Sequence, residues 1–572
     1  MFKYMNNMAS YEDAIKDFSW DLVEKELGYR DGNVINIAEY CTDRNCRMGK
    51  GGKKALIWQS EDGKVKTYTF NELRMLSNSV SLYLKSLGIN PGDRISMFLD
   101  KVPELFIGFL GILKLGAVAV PLDSSFGSES LFTRLNDAKT RVIITQKKHL
   151  PKVRSILKDM DFLEHIIVVD EHHAENLKER EFMCNIETCE PINECHVYPS
   201  KAYTPSVMLY TAGTSGKPKG VQHVHYSIIS QYISAKFVLD LKEDDVVWCT
   251  VSPDGVTGSS SGIIGPWANG NTICVLNAPF TPDNWYSFIE KHKVSVWYTV
   301  PTFIRSLMKE GEEKENKYNL SSLRVLASIG EPLNPEEVEW SEKVFGTAFH
   351  DTFLQTETGS VMIGNYPCMK IKPGSMGKPF PGMEIVILDP KTNTPVKNRC
   401  VVGKIGIRPG WPSMFRGYLN QEEAYKRKFD NGWYICNDRA SIDEDGYFWF
   451  VGRDDDVINT SGYLLGPGEI EAAIQRHPAV AESAAIGKPD EMNMEVVKAF
   501  IVLKKGFTPS KKIELEIMEF IRKKISALAM PKEIEFIGKL PKTRSGKIIR
   551  RVLRALEWQE EIDPESDSET GK

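Results

Sequence analysis

The chain has 572 residues, with 72 Lys+Arg against 77 Asp+Glu, a formal charge of −5. At roughly 150 residues per domain this length calls for more than one domain, and its apolar fraction of 42% suits a soluble globular protein with a sizeable core. A charge so near balance excludes any global attraction to nucleic acid or to an anionic membrane.

In chain order, Met1 to Asp17 holds acidic residues and no long apolar core, so it does not read as a secretory signal. Asn71–Leu87 predicts a helix and Arg94–Leu99 a strand. The most apolar stretch, Leu105–Leu122, contains Lys114, Gly108, Gly111, Gly116 and Pro121 and predicts a buried helix followed by a strand, not a membrane span. Further strands are expected at Arg141–Thr145, His165–Asp170, Thr272–Leu276, Val294–Tyr298 and Arg324–Ser328, with a helix at Asn284–Lys291. This alternation predicts an α/β architecture with largely parallel sheets, and no repeat of about 20–50 residues suggests a solenoid. The ten cysteines are too few for a disulfide scaffold, and neither Cys41/Cys46 nor Cys184/Cys189/Cys195 has paired CxxC spacing. Reduced thiols in a cytoplasmic protein are therefore expected.

The texture changes near residue 455, where Gly452-Arg453-Asp454-Asp455-Asp456 forms a polar turn. Beyond it the chain reads helix (Glu469–Arg476), strands (Ala481–Ile486, Val496–Leu503), helix (Lys512–Ser526), strand (Glu533–Ile537) and helix (Ile548–Leu556). That is enough for a small α+β domain. The expected division is an N-terminal domain over 1–452, a hinge at 453–456, a C-terminal domain over 457–558 and a disordered acidic tail over 559–572.

Chemistry concentrates in Tyr210-Thr-Ala-Gly-Thr-Ser-Gly-Lys-Pro-Lys-Gly220, which follows the apolar run Val207–Tyr210. Small residues leave backbone N–H groups open, hydroxyls come from Thr211, Thr214 and Ser215, and charge comes from Lys217 and Lys219, so the loop suits a polyphosphate. It is not a Walker A loop, because Pro218 follows Gly216-Lys217. A second pattern, Gly258-Ser-Ser260-Ser-Gly262, fits GxSxG and raises a serine hydrolase reading, which needs a strand–elbow–helix context and a His–acid pair.

The phosphate-type loop resembles the signature of the AMP-forming acyl-CoA synthetases of the adenylate-forming superfamily. Further matches follow in the family's order: Gly330-Glu331-Pro332, Asp351-Thr-Phe-Leu-Gln-Thr-Glu-Thr-Gly359, Asp438, Gly452–Asp456, Ser461-Gly462 and Pro541-Lys-Thr-Arg-Ser-Gly-Lys547. Asn365-Tyr-Pro-Cys, Lys372-Pro-Gly-Ser-Met-Gly-Lys378 and Gly446-Tyr-Phe-Trp-Phe look like the acetyl-CoA and medium-chain acyl-CoA synthetase branches. The resemblance spans roughly residues 10–558. It implies an α/β fold with a β-barrel subdomain in the large N-terminal portion and a small mobile C-terminal domain. It also implies ATP, Mg²⁺ and coenzyme A as cofactors and a small carboxylic acid as substrate, with no nucleic acid or membrane partner.

By the same resemblance, Lys547 is the catalytic cation of adenylation, with Lys219 beside the phosphates and Glu357 as the Mg²⁺ ligand. Concentrated positive charge is what two reacting anions need, and a carboxylate suits a hard cation. Thr211, Gly213, Thr214, Ser215 and Gly216 match the phosphate loop. Gly330, Glu331 and Pro332, with Asp351, Thr352, Phe353, Leu354, Gln355 and Thr356, match the strips lining adenine, ribose and phosphate. Asp438 and Arg453 match the ribose-holding pair, one acceptor and one donor for a vicinal diol. Thr257 is placed with the cofactor-binding set, Ser461, Gly462 and Arg522 match positions near coenzyme A, and Asp455 matches the hinge. A homo-oligomer and acetylation of Lys547 by an acetyltransferase, reversed by a deacetylase, are further expectations; acetylation would remove the needed charge.

Several residues depart from the family pattern. Ala212 replaces a Ser, Asn437 replaces a Gly, and Leu464 replaces a phosphate-contacting Arg. The acyl pocket is expected at Gly255, Val256, Thr257, Ile329 and Leu354. Phe353-Leu354 stands where acetate enzymes carry Trp-Trp, and a second Trp is lost beside Val256. These changes predict an acid larger than acetate, short to medium or branched. The alternatives are acetyl-CoA synthetase proper, or a nucleotide- or acyl-CoA-binding homologue with weak or lost activity.

Overall fold

The computed structural model describes residues 6–30, 32–170, 177–178, 180–184, 190–211, 218–310, 317–454, 456–460, 463–490, 494–524, 529–542 and 548–558. The chain divides into two compact units. The first comprises Met1–Pro373, Pro379–Met383 and Gly410–Arg427; the second comprises Gly374–Lys378, Glu384–Pro409 and Lys428–Lys572.

Local signals account for the helices that dress the first unit. Helix Phe70–Ser86 starts at a reciprocal cap, with Thr69 and Glu72 each bonding the other's backbone N–H. Helix Pro103–Leu115 opens on a proline and stops at Gly116, whose φ of 79° a residue with a Cβ adopts only at a cost. It and strand Val118–Asp123 are the helix and strand expected from the Leu105–Leu122 stretch. Lys114, in the last turn of that helix, is fully buried, and it bonds Asp43 at 2.9 Å and Asn78 Oδ1 at 2.6 Å. Burial lowers its pKa and Asp43 opposes that shift. Among the described residues no helix is long and apolar enough to cross a membrane.

Two sheets organise this unit. In one, strands run in the order Ile363–Gly364, Phe349–Phe353, Val325–Ser328, Val296–Thr299, Val246–Cys249, Thr272–Asn277, Lys54–Ser60 and Val65–Thr69. The five pairings from Phe349–Phe353 across to Lys54–Ser60 are parallel, as expected. In the other, the order is Glu181–Met183, His165–Val168, Val142–Thr145, Arg94–Leu99, Val118–Asp123, Pro205–Thr211 and Lys219–Val224, all parallel until the last hairpin. The first sheet covers a core built on Trp248, Trp285, Phe288, Trp297 and Phe349. The described cysteines are all free thiols.

The second unit holds two smaller sheets. Ile385–Leu388, Gly403–Ile407, Trp433–Ile442, Phe429–Asp430 and Phe448–Arg453 form a five-stranded antiparallel sheet. Compactness thus groups this sheet with the C-terminal elements, a division distinct from the expected hinge at 453–456. The C-terminal sheet orders Tyr463–Leu465, Ile458–Thr460, Met494–Leu503 and Val480–Asp490, with Glu533–Phe536 pairing parallel to Met494–Leu503. Helices Pro467–Gln475 and Lys511–Lys524 contribute Ile470, Ile474, Ile517 and Ile521 to its core. The tail over 559–572 lies outside the described residues.

Candidate active site

Parallel strands deliver chemistry at their C-terminal ends, where loops are free to vary. Strand Pro205–Thr211 ends at the half-buried Thr211. Gly213, Thr214, Ser215 and Gly216, with Ala212 and Lys217, lie outside the described residues. The chain returns at Lys219, whose ammonium sits 5.1 Å from the centre of the Tyr418 ring.

The neighbouring strands supply two interlocked strips. After Val325–Ser328, Gly330 takes φ 89° and turns the chain; it and Pro332 are exposed, whereas Glu331 points back into the unit. Thr302 Oγ1 donates to Glu331 Oε1 at 2.6 Å, and Arg305 occupies Oε2. Asp351 accepts from the backbone N–H of Thr352 at 3.0 Å and from that of Leu333, so it supports the strip from beneath. Its burial holds its pKa far above the carboxylate range. Thr352 Oγ1 donates to Ser328 O at 2.6 Å and pairs with the Tyr298 hydroxyl at 2.7 Å.

From there half-buried Phe353, Leu354, Gln355 and Thr356 lead into the turn that carries Glu357. Four consecutive carbonyls of this turn are held from distant segments. Thr356 O accepts from His223 Nε2 at 2.9 Å, Glu357 O from Phe415 N at 2.9 Å, and Gly359 O from Gln231 Nε2 at 3.3 Å. Thr358 O accepts twice, from Trp411 Nε1 at 2.9 Å and Ser413 Oγ at 2.7 Å. Burial lowers the His223 pKa to about 4, so the ring is neutral and its Nε2 carries the donated hydrogen. The Glu357 carboxylate accepts from the Tyr418 hydroxyl at 2.6 Å through Oε1. Oε2 has no bond among the described residues, and a hard divalent cation fits such a free carboxylate oxygen.

The acyl-pocket candidates lie along one edge of the first sheet. Gly255, Val256 and Thr257 follow strand Val246–Cys249, Ile329 follows Val325–Ser328, and Leu354 follows Phe349–Phe353. Val256, Thr257 and Ile329 are buried. The GxSxG pattern is helical here: buried Ser260 donates to Val256 O at 2.6 Å, so no nucleophile elbow forms.

In the second unit Asp438 and Arg453 face each other across strands Trp433–Ile442 and Phe448–Arg453. Asn437 lies within the strand and is not among the residues with positive φ, so this departure from Gly carries no left-handed strain. Arg522 is exposed on helix Lys511–Lys524. Asp455, Ser461, Gly462 and Lys547 lie outside the described residues, as does the side chain of Leu464. Glu533, Glu535 and Glu557 converge as a metal site would. Lys498 fills their centre, at 2.7 Å from Glu533 and 2.8 Å from Glu535 and bonded to Glu557, which makes the group an ion-pair cluster.

Sequence reasoning missed Tyr418, His223, Trp411 and Arg305. Each acts through a residue 26 to 133 positions away, a relation no local motif displays.

A Gly/Ser/Thr-rich segment after a strand, a carboxylate with one oxygen unbonded among the described residues and an exposed turn after a parallel strand suit an α/β enzyme that handles a nucleotide. The chain belongs to the AMP-binding enzyme family, which matches residues 43–419, and the family's C-terminal domain matches 469–547. It is similar to an acetyl-coenzyme A synthetase of Bacillus subtilis, 42% identical over 563 residues and 96% of each chain. It is also similar to one of Gemmatimonas aurantiaca, 37% identical over 92% of this chain and 85% of the other. Among solved structures, a Brucella canis acyl-CoA synthetase aligns with a TM-score of 0.74 at 30% identity, covering 96% of this chain and 99% of the other. An anthranilate CoA ligase in complex with anthranoyl-AMP aligns at 0.81 and 28% identity, covering 92% and 97%. The protein is an AMP-forming acyl-CoA synthetase of the adenylate-forming superfamily, a family that uses ATP, Mg²⁺ and coenzyme A.

Proposed function

We propose that the acid activated is acetate. Full-length similarity to relatives named acetyl-coenzyme A synthetase carries this reading and weighs against the larger acid expected from the pocket residues. The acetate oxygen attacks the α-phosphorus of ATP, the bond to the bridging oxygen breaks, and pyrophosphate leaves with that electron pair. The thiol of coenzyme A then attacks the acyl carbon and AMP departs, giving the thioester.

Lys547 supplies the cation that draws the two anions together, with Lys219 beside the phosphates, and the phosphate loop from Thr211 to Gly216 holds the polyphosphate. Glu357, oriented by Tyr418, would hold Mg²⁺, which screens phosphate charge when bound. Gly330 and Pro332, anchored by the inward-turned Glu331, and Phe353 to Thr356, supported by Asp351 and Thr352, bind the base and ribose–phosphate. Asp438 and Arg453 take the ribose diol, and Ser461, Gly462 and Arg522 receive coenzyme A. Asp455 is the pivot about which the 457–558 domain turns between the two steps. The reading places the enzyme in the cytoplasm, with Lys547 as a target for reversible acetylation.

A second reading, propionate, butyrate or a branched short acid, is favoured by Leu354 and Gly255, both smaller than the Trp that acetate enzymes carry at those positions. A methylene is worth only about 1–3 kcal/mol of discrimination, so the two readings differ by preference. ATP–pyrophosphate exchange over C2 to C8 acids separates them. Acetate is expected to give the highest kcat/KM and Lys547→Ala to abolish exchange. A tenfold preference for a C3 to C5 acid overturns acetate in favour of the second reading.

A further inference from the structure

We propose that Arg305 is a positioning residue for the nucleotide strip, an inference that rests on Gly330 to Pro332 being the nucleotide-facing segment. Arg305 stands on helix Pro301–Lys309, outside every motif of the family resemblance. Its guanidinium forks between two carboxylates. Nη1 bonds Glu337 Oε1 at 3.0 Å, while Nη2 bonds Glu331 Oε2 and reaches Thr302 Oγ1 at 3.2 Å. Such a planar fork fixes both partners' directions, which a lysine does not do.

Both oxygens of Glu331 are thereby engaged, Oε1 by Thr302 and Oε2 by Arg305. The side chain is a latch turned into the unit, and the ligand face is left to Gly330, at φ 89°, and exposed Pro332. At the other prong, Glu337 Oε2 accepts from Asn334 N at 2.8 Å and caps helix Pro335–Phe345. One cation therefore ties the strip at residue 331 to the start of the next helix at residue 337. Among the described residues it is the only cation bonded to either carboxylate. Its removal leaves Glu331 and Glu337 uncompensated beside a strip that must accept a polyanion, with the strip free to swing about Gly330.

The test is equilibrium binding of ATP by calorimetry, without acid or coenzyme A, together with exchange kinetics. Arg305→Gln is expected to weaken ATP binding and raise the KM for ATP about tenfold, the size of a coupled charged contact. The KM for the acid stays unchanged, and Arg305→Lys restores part of the loss. Glu331→Ala, which releases the latch but spares the half-buried Arg305–Glu337 pair, is expected to weaken ATP binding selectively in the same way. The double variant should bind no worse than the weaker single. Unchanged ATP affinity in Glu331→Ala, or additive losses in the double variant, overturns the proposal. So does a uniform fall of all kinetic parameters with the melting temperature, the mark of a merely structural role. Wild-type protein that does not bind ATP overturns the nucleotide reading itself, and this inference with it.

Discussion

Two regions, the Glu357 turn of the first unit and the C-terminal elements of the second, hold their polar groups in different ways. In the first, the Glu357 turn is fixed by uncharged donors, among them the His223 ring, the Trp411 indole, the Ser413 hydroxyl and the Gln231 amide, all aimed at backbone carbonyls. In the second, the charged groups are paired with one another. Arg550 bonds Glu471 at 2.6 Å and reaches Asp456 at 3.6 Å, Lys498 gathers three glutamates, and Arg439 meets Asp454 at 2.5 Å. Neutral donors set a backbone position almost independently of salt, provided that they stay neutral. Ion pairs tolerate burial only while both members are present.

Acid is the strongest way to test the first half of that contrast. Burial lowers the pKa of His223 and His350 to about 4 and that of His225 to about 3. A folded pKa below the ordinary 6.5 means that the unfolded chain takes up protons the folded one refuses. Stability conferred by these three residues is therefore complete above pH 6.5 and lost as pH falls toward 4, at about 1.4 kcal/mol per pH unit each. Urea midpoints measured from pH 7 to 4.5 are expected to drop steeply, and less so for His350→Asn. A flat profile breaks the comparison on this side.

The second half breaks at Arg550. Removing it leaves the buried Glu471 carboxyl, already raised in pKa by burial, without its cation. Arg550→Gln is expected to cost about 3 kcal/mol. Hydrogen exchange should rise across helix Pro467–Gln475 and the C-terminal sheet while the Glu357 turn keeps its protection. Equal loss in both places would show that the two devices are not separate.

What was legible in the sequence follows the same line. Strand Arg94–Leu99 appears at its expected bounds, and most other elements fall within a few residues, because hydrophobic period and caps are local. The turn at Gly330 was legible because its motif follows the expected strand Arg324–Ser328, whereas strand Phe349–Phe353, which carries Asp351 and leads to Glu357, was not among the expected ones. The latch of Glu331 was not legible, since a carboxylate in a ligand-lining motif reads as a ligand contact until Arg305 and Thr302 are seen on its far side. Nor was the grouping of the Ile385–Arg453 sheet with the C-terminal elements, which depends on packing density that a polar turn at 453–456 does not reveal.

The smallest expected effect sharpens the contrast most, because it removes one atom. Tyr418→Phe deletes the hydroxyl that bonds Glu357 Oε1 and keeps the ring over which the Lys219 ammonium lies. If the turn is set by its backbone donors, Glu357 stays in place through Phe415 N and loses only the orientation of its carboxylate. A hydrogen bond to a charged acceptor is worth about 1.5 kcal/mol at the lower end, so the Mg²⁺ needed for half-maximal ATP binding should rise roughly tenfold. Calorimetric titration of ATP across Mg²⁺ concentrations reads this without turnover, and the melting temperature should not move. Unchanged Mg²⁺ dependence would mean that Glu357 is oriented by its backbone alone. A loss beyond a hundredfold would mean that the hydroxyl carries the turn and that the carbonyl donors are secondary, which reverses the account of the first unit.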